Sequence, residues 1–359
     1  EYIVLEKNGY KIGIFGIMGK DSASNAPMAE VTFTDYIENA ARIVSYIKKN
    51  ERVDMILCIS HSGTEGKSPN TEDEILAKKV GDIDLIISGH SHTVIPEPII
   101  VGKTTIVSCG SYTEKLGKLI VSKNDTRWKL KEYALIDITS AIPEDPEIVA
   151  LIDYYKAIIN REYLNQWDFR FDEVLAYLPF NFTASNKVGD EHAEEPLGTL
   201  ITDAYRYAVE QAEGKDYEPI TAALVPSGVI RGSFVKGDIT VSDAFIVSSL
   251  GIGKDGIAGY PLISVYLTGK ELKTMCEVDA SIKPIMSAAQ LYISGLSYTF
   301  NPNRLIFNKV TEVAFMDKDG IKSPIDENKL YRVVTGLYLG QMLPVINDKS
   351  FGILSLIPK

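Results

Sequence analysis

Three of the four histidines in this 359-residue chain are close together in the sequence. His61 occurs in "LCISHSGTEG", while His90 and His92 occur in "DLIISGHSHT". Each group directly follows an apolar run of strand length, and ligands bind where such strands end in open α/β sheets. In extended backbone, residues i and i+2 point the same way, so His90 and His92 are expected to face one site. Neutral imidazole binds zinc, manganese and iron, so the pattern favours a metal site.

The alternative for each histidine is an ordinary hydrogen-bonding side chain, which is the commoner role for a single histidine near a loop. A "HxH" pair alone is a weak signal. Its combination with a histidine at the end of a neighbouring strand favours metal binding. A structural zinc site is disfavoured, because the sequence does not show the four ligands of a closed tetrahedral site.

The elements that position these histidines alternate between strands and helices. Strands are predicted in "YKIGIFGIM", "VDMILCIS" and "IDLIIS", with helices between them. Thr34 is the predicted cap of the first helix, and Thr71 with Glu74 forms a predicted capping box for the second. This order predicts a parallel sheet, and strands that are apolar on both faces indicate helices or sheets packed on both.

Two domains are predicted: residues 1–138, and residues 165–359 with their own mixed α/β pattern, joined by a linker helix within 139–164. In the second domain a helix is expected in "LGTLITDAYRYAVEQA", and Thr268 with Glu271 should cap another. Strands are expected in "AALVP", "LYISGLSYTF", "VTEVAFM" and "LYRVVTG". The "DEH" segment that ends at His192 is interpreted as a solvated acidic loop.

Composition excludes several classes of function. Lys and Arg number 37 against 48 Asp and Glu, and the net charge of −11 argues against nucleic-acid partners and anionic membranes. The three scattered cysteines are typical of small buried side chains rather than of a disulfide framework. Apolar runs are of strand length, so no membrane span is predicted, and the given sequence opens without a signal peptide.

The two histidine segments resemble the last two metal-binding blocks of the calcineurin-like metallophosphoesterases. The second half resembles the C-terminal domain of 5′-nucleotidases in "EEPLGTLITDAYRYA", "VPSGVIRGSFVKGDIT", "YLTGKELKTMCE" and "YRVVTGLYL". The resemblance implies an α/β fold, with a partial metallophosphoesterase sandwich followed by a separate substrate domain. It also implies two divalent ions (Zn, Mn or Fe), with His61 and His90 on one and His92 on the other. A phosphoester substrate, most simply a nucleotide, and an extracytoplasmic location are implied in the same way.

Some family motifs are absent or altered. The Asp-x-His, Gly-Asp and Gly-Asn-His-Glu blocks do not precede His61, so we expect a fragment of the metal domain, with the missing catalytic groups upstream of Glu1 and little activity. In the second half, Arg231 matches the family's substrate-binding arginine, Gly228 belongs to its altered glycine-rich segment, and Tyr338 matches one of two base-stacking rings. Leu250 replaces the other ring. The alternative hypothesis is therefore a catalytically silent protein whose second domain binds a ligand or a partner.

Overall fold

The computed structural model describes residues 2–26, 29–66, 70–124, 127–283 and 289–342. The chain divides into two compact units, Glu1–Asp145 and Pro146–Lys359. Elements of the first unit are β1 (Tyr2–Lys7), β2 (Tyr10–Met18), α1 (Lys20–Ser24), α2 (Tyr36–Asn50), β3 (Met55–His61), α3 (Glu72–Lys79), β4 (Leu85–Ser88), β5 (Ile99–Val101), β6 (Thr104–Val107), β7 (Lys115–Asn124) and β8 (Arg127–Asp137).

The first unit is built on a sheet with the strand order β1-β2-β3-β4-β6-β5. Its central pairs, β2 with β3, β3 with β4 and β4 with β6, are parallel, as the alternation of strands and helices predicted. The outer strands β1 and β5 pair antiparallel to their neighbours, and β7 and β8 form a separate antiparallel hairpin. Parallel pairing brings the carboxyl ends of β3 and β4 to the same edge.

Helices pack on one face of this sheet. Alternate strand residues such as Phe15, Cys58 and Ile86 join the apolar stripe of α2 in one buried cluster. Each large apolar side chain buried in this way contributes about 1.5–3 kcal/mol to stability. On the opposite face Met55 and Leu85 are buried, whereas Ile59 is 54% exposed and Ile87 is 43% exposed. In the part of the chain that the structure describes, this second face is therefore only partly covered.

The helix starts of the first unit differ in detail from the predicted caps. Helix α2 is capped by Asp35, whose carboxylate accepts hydrogen bonds from the backbone N–H groups of Ile37 and Glu38, so Thr34 is not the cap. Thr71 does cap α3 by position, but its side chain accepts no backbone hydrogen bond there. Its hydroxyl instead donates to the Glu74 carboxylate. Both corrections arise because a carboxylate is a stronger acceptor than a threonine hydroxyl.

The second unit contains several smaller sheets. The elements of this unit are α4 (Pro146–Glu162), β9 (Val174–Leu178), α5 (Pro196–Glu213), β10 (Ala222–Pro226), β11 (Gly237–Thr240), α6 (Val241–Val247), β12 (Leu262–Thr268), α7 (Gly269–Ile282), β13 (Leu291–Ser294), β14 (Leu296–Phe300), β15 (Val310–Met316), β16 (Lys322–Pro324) and β17 (Leu330–Gly336). The main sheet has the order β12-β17-β10-β13, and β14-β15-β16 and β9-β11 are separate.

The capping box of Thr268 and Glu271 is present at the start of α7, as predicted. The single strand predicted in "LYISGLSYTF" is instead two strands, β13 and β14, which belong to different sheets. Gly295 separates them with φ of +87°, where an added Cβ would lie 2.1 Å from the carbonyl oxygen of Thr221. Glycine is required at this break because no other residue avoids that clash.

Helix α4, which covers most of the predicted linker, is grouped with the second unit, and none of its residues is buried. Across the described ranges, the structure has no helix of the length and apolar character that a membrane span requires.

Candidate functional site

The imidazole rings of His61 and His90 lie together at the carboxyl-end edge of the first sheet. His61 is the last residue of β3, and His90 follows the end of β4, the parallel neighbour of β3. The ring centroids are 5.0 Å apart. Gly89 permits this approach, because a Cβ there would lie 3.3 Å from the Ser60 carbonyl oxygen and 3.6 Å from His61 Nδ1.

The backbone at His90 and His92 is left-handed rather than extended, with φ of 75° and 55°. The expectation that both imidazoles point the same way because of extended backbone is therefore wrong. Non-glycine residues in the left-handed region carry backbone strain, and here two of them lie within one short turn. Such strain persists only where the surrounding structure imposes it, and it is concentrated at functional sites.

The His92 ring packs edge-on against Tyr112, with a centroid separation of 5.5 Å. Among the described residues, no group of three or more His, Cys, Asp or Glu side chains is arranged to hold a metal ion. The three histidines alone therefore do not fit a preformed two-ion site. What the structure brings together is a pair, His61 and His90.

A carboxylate joins this pair. His90 Nε2 lies 3.0 Å from Asp21 Oδ2. Asp21 is on the short helix α1, and the Glu72 carboxylate accepts hydrogen bonds from the backbone N–H groups of Lys20 and Asp21 at its start. Glu72 thus fixes the position of Asp21, and Asp21 fixes the His90 ring. Sequence reasoning missed Asp21 because it lies outside any histidine motif.

A second carboxylate is buried beneath the strand ends. Asp73 on α3 is fully buried and accepts hydrogen bonds from the hydroxyls of Ser60 and Ser88. These serines are paired residues of β3 and β4, next to the two histidines. Burial raises the pKa of Asp73 to about 6, against the lowering effect of the serine hydroxyls. Asp73 therefore ties α3 to the strand ends that carry His61 and His90.

The electrostatic environment favours neutral imidazole at His61. Partial burial lowers the pKa of His61, and the nearby His90 lowers it further. Metal binding needs the neutral form, whose ring nitrogen lone pair is free to coordinate. His61 and His90 offer two ring nitrogens, and among the described residues no third side chain is arranged to complete the ligand set of an ion.

In the second unit, Tyr338 borders a cavity of about 70 Å³, which Leu250 and Tyr260 also line. The Tyr338 and Tyr260 rings are 5.2 Å apart and inclined by 33°. Tyr260 was missed from the sequence because it belongs to no family motif. All three side chains also pack against a buried apolar cluster, so Tyr338 has a core role as well.

The segment that carries Gly228 and Arg231 begins beside the same cavity. Pro226 and Val229 line this cavity, and residues 227–229 form a single 3-10 turn. The Arg231 guanidinium donates to the Gly228 carbonyl at 3.4 Å, and its backbone N–H donates to Val247. The structure thus holds Gly228 and Arg231 in one turn next to the cavity that Tyr338 lines.

Asp190 and Glu191 are exposed in a loop, as the sequence predicted, but the side chain of His192 is largely buried. Its exposed fraction is 15%, its Nε2 lies 3.1 Å from Oδ2 of the fully buried Asp279, and its ring centroid is 4.4 Å from that of Phe300. This contact was not predictable, because Asp279 lies on α7, far along the chain.

Comparisons with known proteins identify similar domains and chains. The family model of the 5′-nucleotidase C-terminal domain matches residues 174–342. Residues 174–342 therefore belong to the family of 5′-nucleotidase C-terminal domains. A solved structure of a 5′-nucleotidase precursor from Thermus thermophilus matches 97% of this chain with a TM-score of 0.72 and 25% identity, over 67% of its own length. This similarity supports the α/β fold class expected from the sequence.

Among curated proteins, a trifunctional nucleotide phosphoesterase, YfkN, of Bacillus subtilis is 28% identical over 94% of this chain. A 5′-nucleotidase of Diplobatis ommata is 24% identical over 94% of it. The chain spans 22% of the Bacillus protein and 59% of the Diplobatis protein.

Proposed function

We propose that the protein is a metal-dependent phosphoester hydrolase that acts on nucleotides. The main observation behind this proposal is the proximity of His61 and His90 at the ends of adjacent parallel strands, where their ring centroids are 5.0 Å apart. The relatives named nucleotide phosphoesterase and 5′-nucleotidase support nucleotides as the substrate class. By the family resemblance we assign His61 and His90 to one divalent ion and His92 to another, although the described residues complete neither ligand set.

In this proposal the second unit binds the substrate. Arg231 offers a planar group of N–H donors that suits an anionic group, and its contact with Gly228 fixes the turn that carries it. Tyr338 offers a ring face for a base. The Tyr260 ring already packs against Tyr338, so the two must separate before a base enters between them. By family resemblance, we place the protein outside the cytoplasm.

The test of the metal assignment is binding of Mn²⁺ or Zn²⁺ to the 359-residue chain, measured by calorimetry. We expect measurable binding, weakened about tenfold or more by His61→Ala or by His90→Ala, since each removes a ligand. His192→Gln is the matched control because it changes a histidine of the second unit, and it should bind like the parent. Equal affinity in all four proteins would reject the assignment.

The test of the substrate assignment is adenosine binding, also by calorimetry. Base stacking on an aromatic ring contributes about 1–3 kcal/mol, so Tyr338→Ala should weaken binding at least about fivefold. Tyr338→Phe keeps the ring and should bind like the parent. Equal loss in both variants would show that the ring face is not what binds the base.

The second candidate is a catalytically silent protein whose second unit binds a ligand. Two observations favour it: no group of three metal-ligating side chains exists among the described residues, and Leu250 stands where the family has a ring. This candidate predicts adenosine binding without any effect of His61→Ala or His90→Ala on divalent metal binding.

A further inference from the structure

The second unit contains another pocket, whose lining residues are all different from those of the Tyr338 cavity. Its volume is about 340 Å³, large enough for a small organic molecule. Its walls come from the start of α5, from α7 and from strands β13 and β14. His192 and Asp279 lie in this pocket, and neither has a role in the proposed hydrolysis.

The carboxylate of Asp279 orders the polar side of the pocket. One oxygen accepts the backbone N–H of Leu291 at 2.7 Å, and the other accepts the Tyr298 hydroxyl and His192 Nε2. Burial, together with Asp279, raises the pKa of Tyr298, so its hydroxyl remains a donor. Because a carboxylate only accepts, the His192 nitrogen that contacts it, Nε2, carries a proton. Asp279 thus fixes the His192 ring in the wall of the pocket.

A buried acceptor lies in the same pocket. Gln290 is 1% exposed, and its side-chain N–H donates to the Ala193 carbonyl at 3.3 Å. Its Oε1 atom is buried and has no hydrogen-bond partner in the described part of the chain. An unsatisfied buried acceptor costs about 1–3 kcal/mol, so a ligand that donates a hydrogen bond there would recover that energy.

The rest of the lining favours a cation. The pocket has the rings of Tyr292, Tyr298 and Phe300 on its walls, and the Glu194 carboxylate at its exposed rim. No Lys or Arg is among the described residues that line it. Aromatic faces and carboxylates both attract ammonium groups, and an ammonium carries three hydrogen-bond donors.

We propose that this pocket binds a small organic cation, a primary ammonium on a short apolar or aromatic body. The ammonium donates to Gln290 Oε1, and Glu194 attracts its charge. The body packs against the aromatic wall and Met316, which also lines the pocket.

The experiment uses benzylamine as the probe and the methyl resonance of Met316 as a local reporter. The full chain is labelled with ¹³C-methyl methionine, and Met316→Leu assigns the signal. We expect benzylamine to shift this resonance in a saturable manner. Benzyl alcohol, which has similar shape but no charge, should bind at least about tenfold more weakly, and phenylacetate should not bind.

Variants connect the shift to the proposed contacts. Gln290→Leu removes the buried acceptor and should weaken benzylamine binding about fivefold or more. Glu194→Gln removes the charge at the rim of the pocket without changing a buried side chain, and it should also weaken benzylamine binding. This variant tests the proposal if Gln290→Leu does not fold. Tyr338→Ala, in the other cavity, should leave benzylamine binding unchanged. Absence of a Met316 shift, equal binding of the three probes, or unchanged binding in folded variants would overturn the proposal.

Discussion

The ring of Tyr260 packs against the ring of Tyr338, with centroids 5.2 Å apart, beside a cavity that Leu250 also lines. The cavity of about 70 Å³ leaves room for a larger side chain at that position. We expect Leu250→Phe to add a ring face for a nucleobase and to strengthen adenosine binding about fivefold or more.

Calorimetry with adenosine checks this expectation. Leu200→Phe is the control, because Leu200 is exposed on α5 and makes no part of the cavity. Weaker or unchanged adenosine binding in a folded Leu250→Phe protein would show that bases do not enter beside Tyr338.

The buried Asp73 gives the first unit a pH-dependent stability. Its pKa is raised to about 6, above the value of 3.8 expected for an unfolded chain, so the folded state holds the proton more tightly. The corresponding stability is complete below about pH 4 and is lost as the pH rises through about 6, by up to about 3 kcal/mol. In Asp73→Asn this decline between about pH 4 and 6 should vanish.

Urea unfolding of the first unit at several pH values measures the effect. Asp82→Asn is a useful contrast, because hydrogen bonds from Lys48 and Lys103 lower the pKa of Asp82. Its contribution is therefore lost as the pH falls, which is the opposite direction. An Asp73→Asn protein with the parental pH dependence would refute the assignment to Asp73.

Close packing of α5 on β13 makes Gly198 sensitive to substitution. A Cβ at Gly198 would lie 2.2 Å from Cγ of the buried Tyr292, so the ring or the helix must move. We expect Gly198→Ala to lower the free energy of unfolding of the second unit by about 1–3 kcal/mol. Leu200→Ala, on the exposed side of the same helix, should change it by about 0.5 kcal/mol or less. Similar urea midpoints for the two variants would contradict this packing.

The three cysteines should differ in reactivity. Cys58 and Cys276 are fully buried, and burial raises the pKa of both thiols, whereas Cys109 is half-buried. Because the thiolate is the reactive form, we expect one thiol of the native chain to react rapidly with a disulfide reagent and three in denaturant. Cys109→Ser should abolish the rapid phase. Rapid reaction of all three native thiols would be inconsistent with this burial.

The parallel order of the first sheet was predictable because apolar runs alternate with amphipathic helices, and this alone brings His61 and His90 to one edge. The partners of these histidines were not predictable. Asp21 and Asp73 reach the strand ends from other helices, and no local pattern marks such contacts between distant residues. The left-handed turn at His90 also has no local signal, because the residue is not a glycine.

In the second unit, local signals identified helix caps but not which strands pair. The Thr268–Glu271 box depends on neighbours in sequence and was found. The break at Gly295 and the contact of His192 with Asp279 depend on tertiary packing, whereas the sequence suggested one continuous strand and a solvated His192 side chain.

The position of β17 in the main sheet of the second unit has a consequence for synthesis on the ribosome. This strand lies between β12 and β10, and Ala223 of β10 pairs in parallel with Val334 of β17. The first unit ends at Asp145 and has all its strands before that point, so it can fold while the rest of the chain is still being translated. The second unit lacks an interior strand until the end of β17, at Gly336, leaves the exit tunnel. Until then the edges of β10 and β12 that pair with β17 have no partner strand, so the main sheet of the second unit is completed only after β17 has been synthesised.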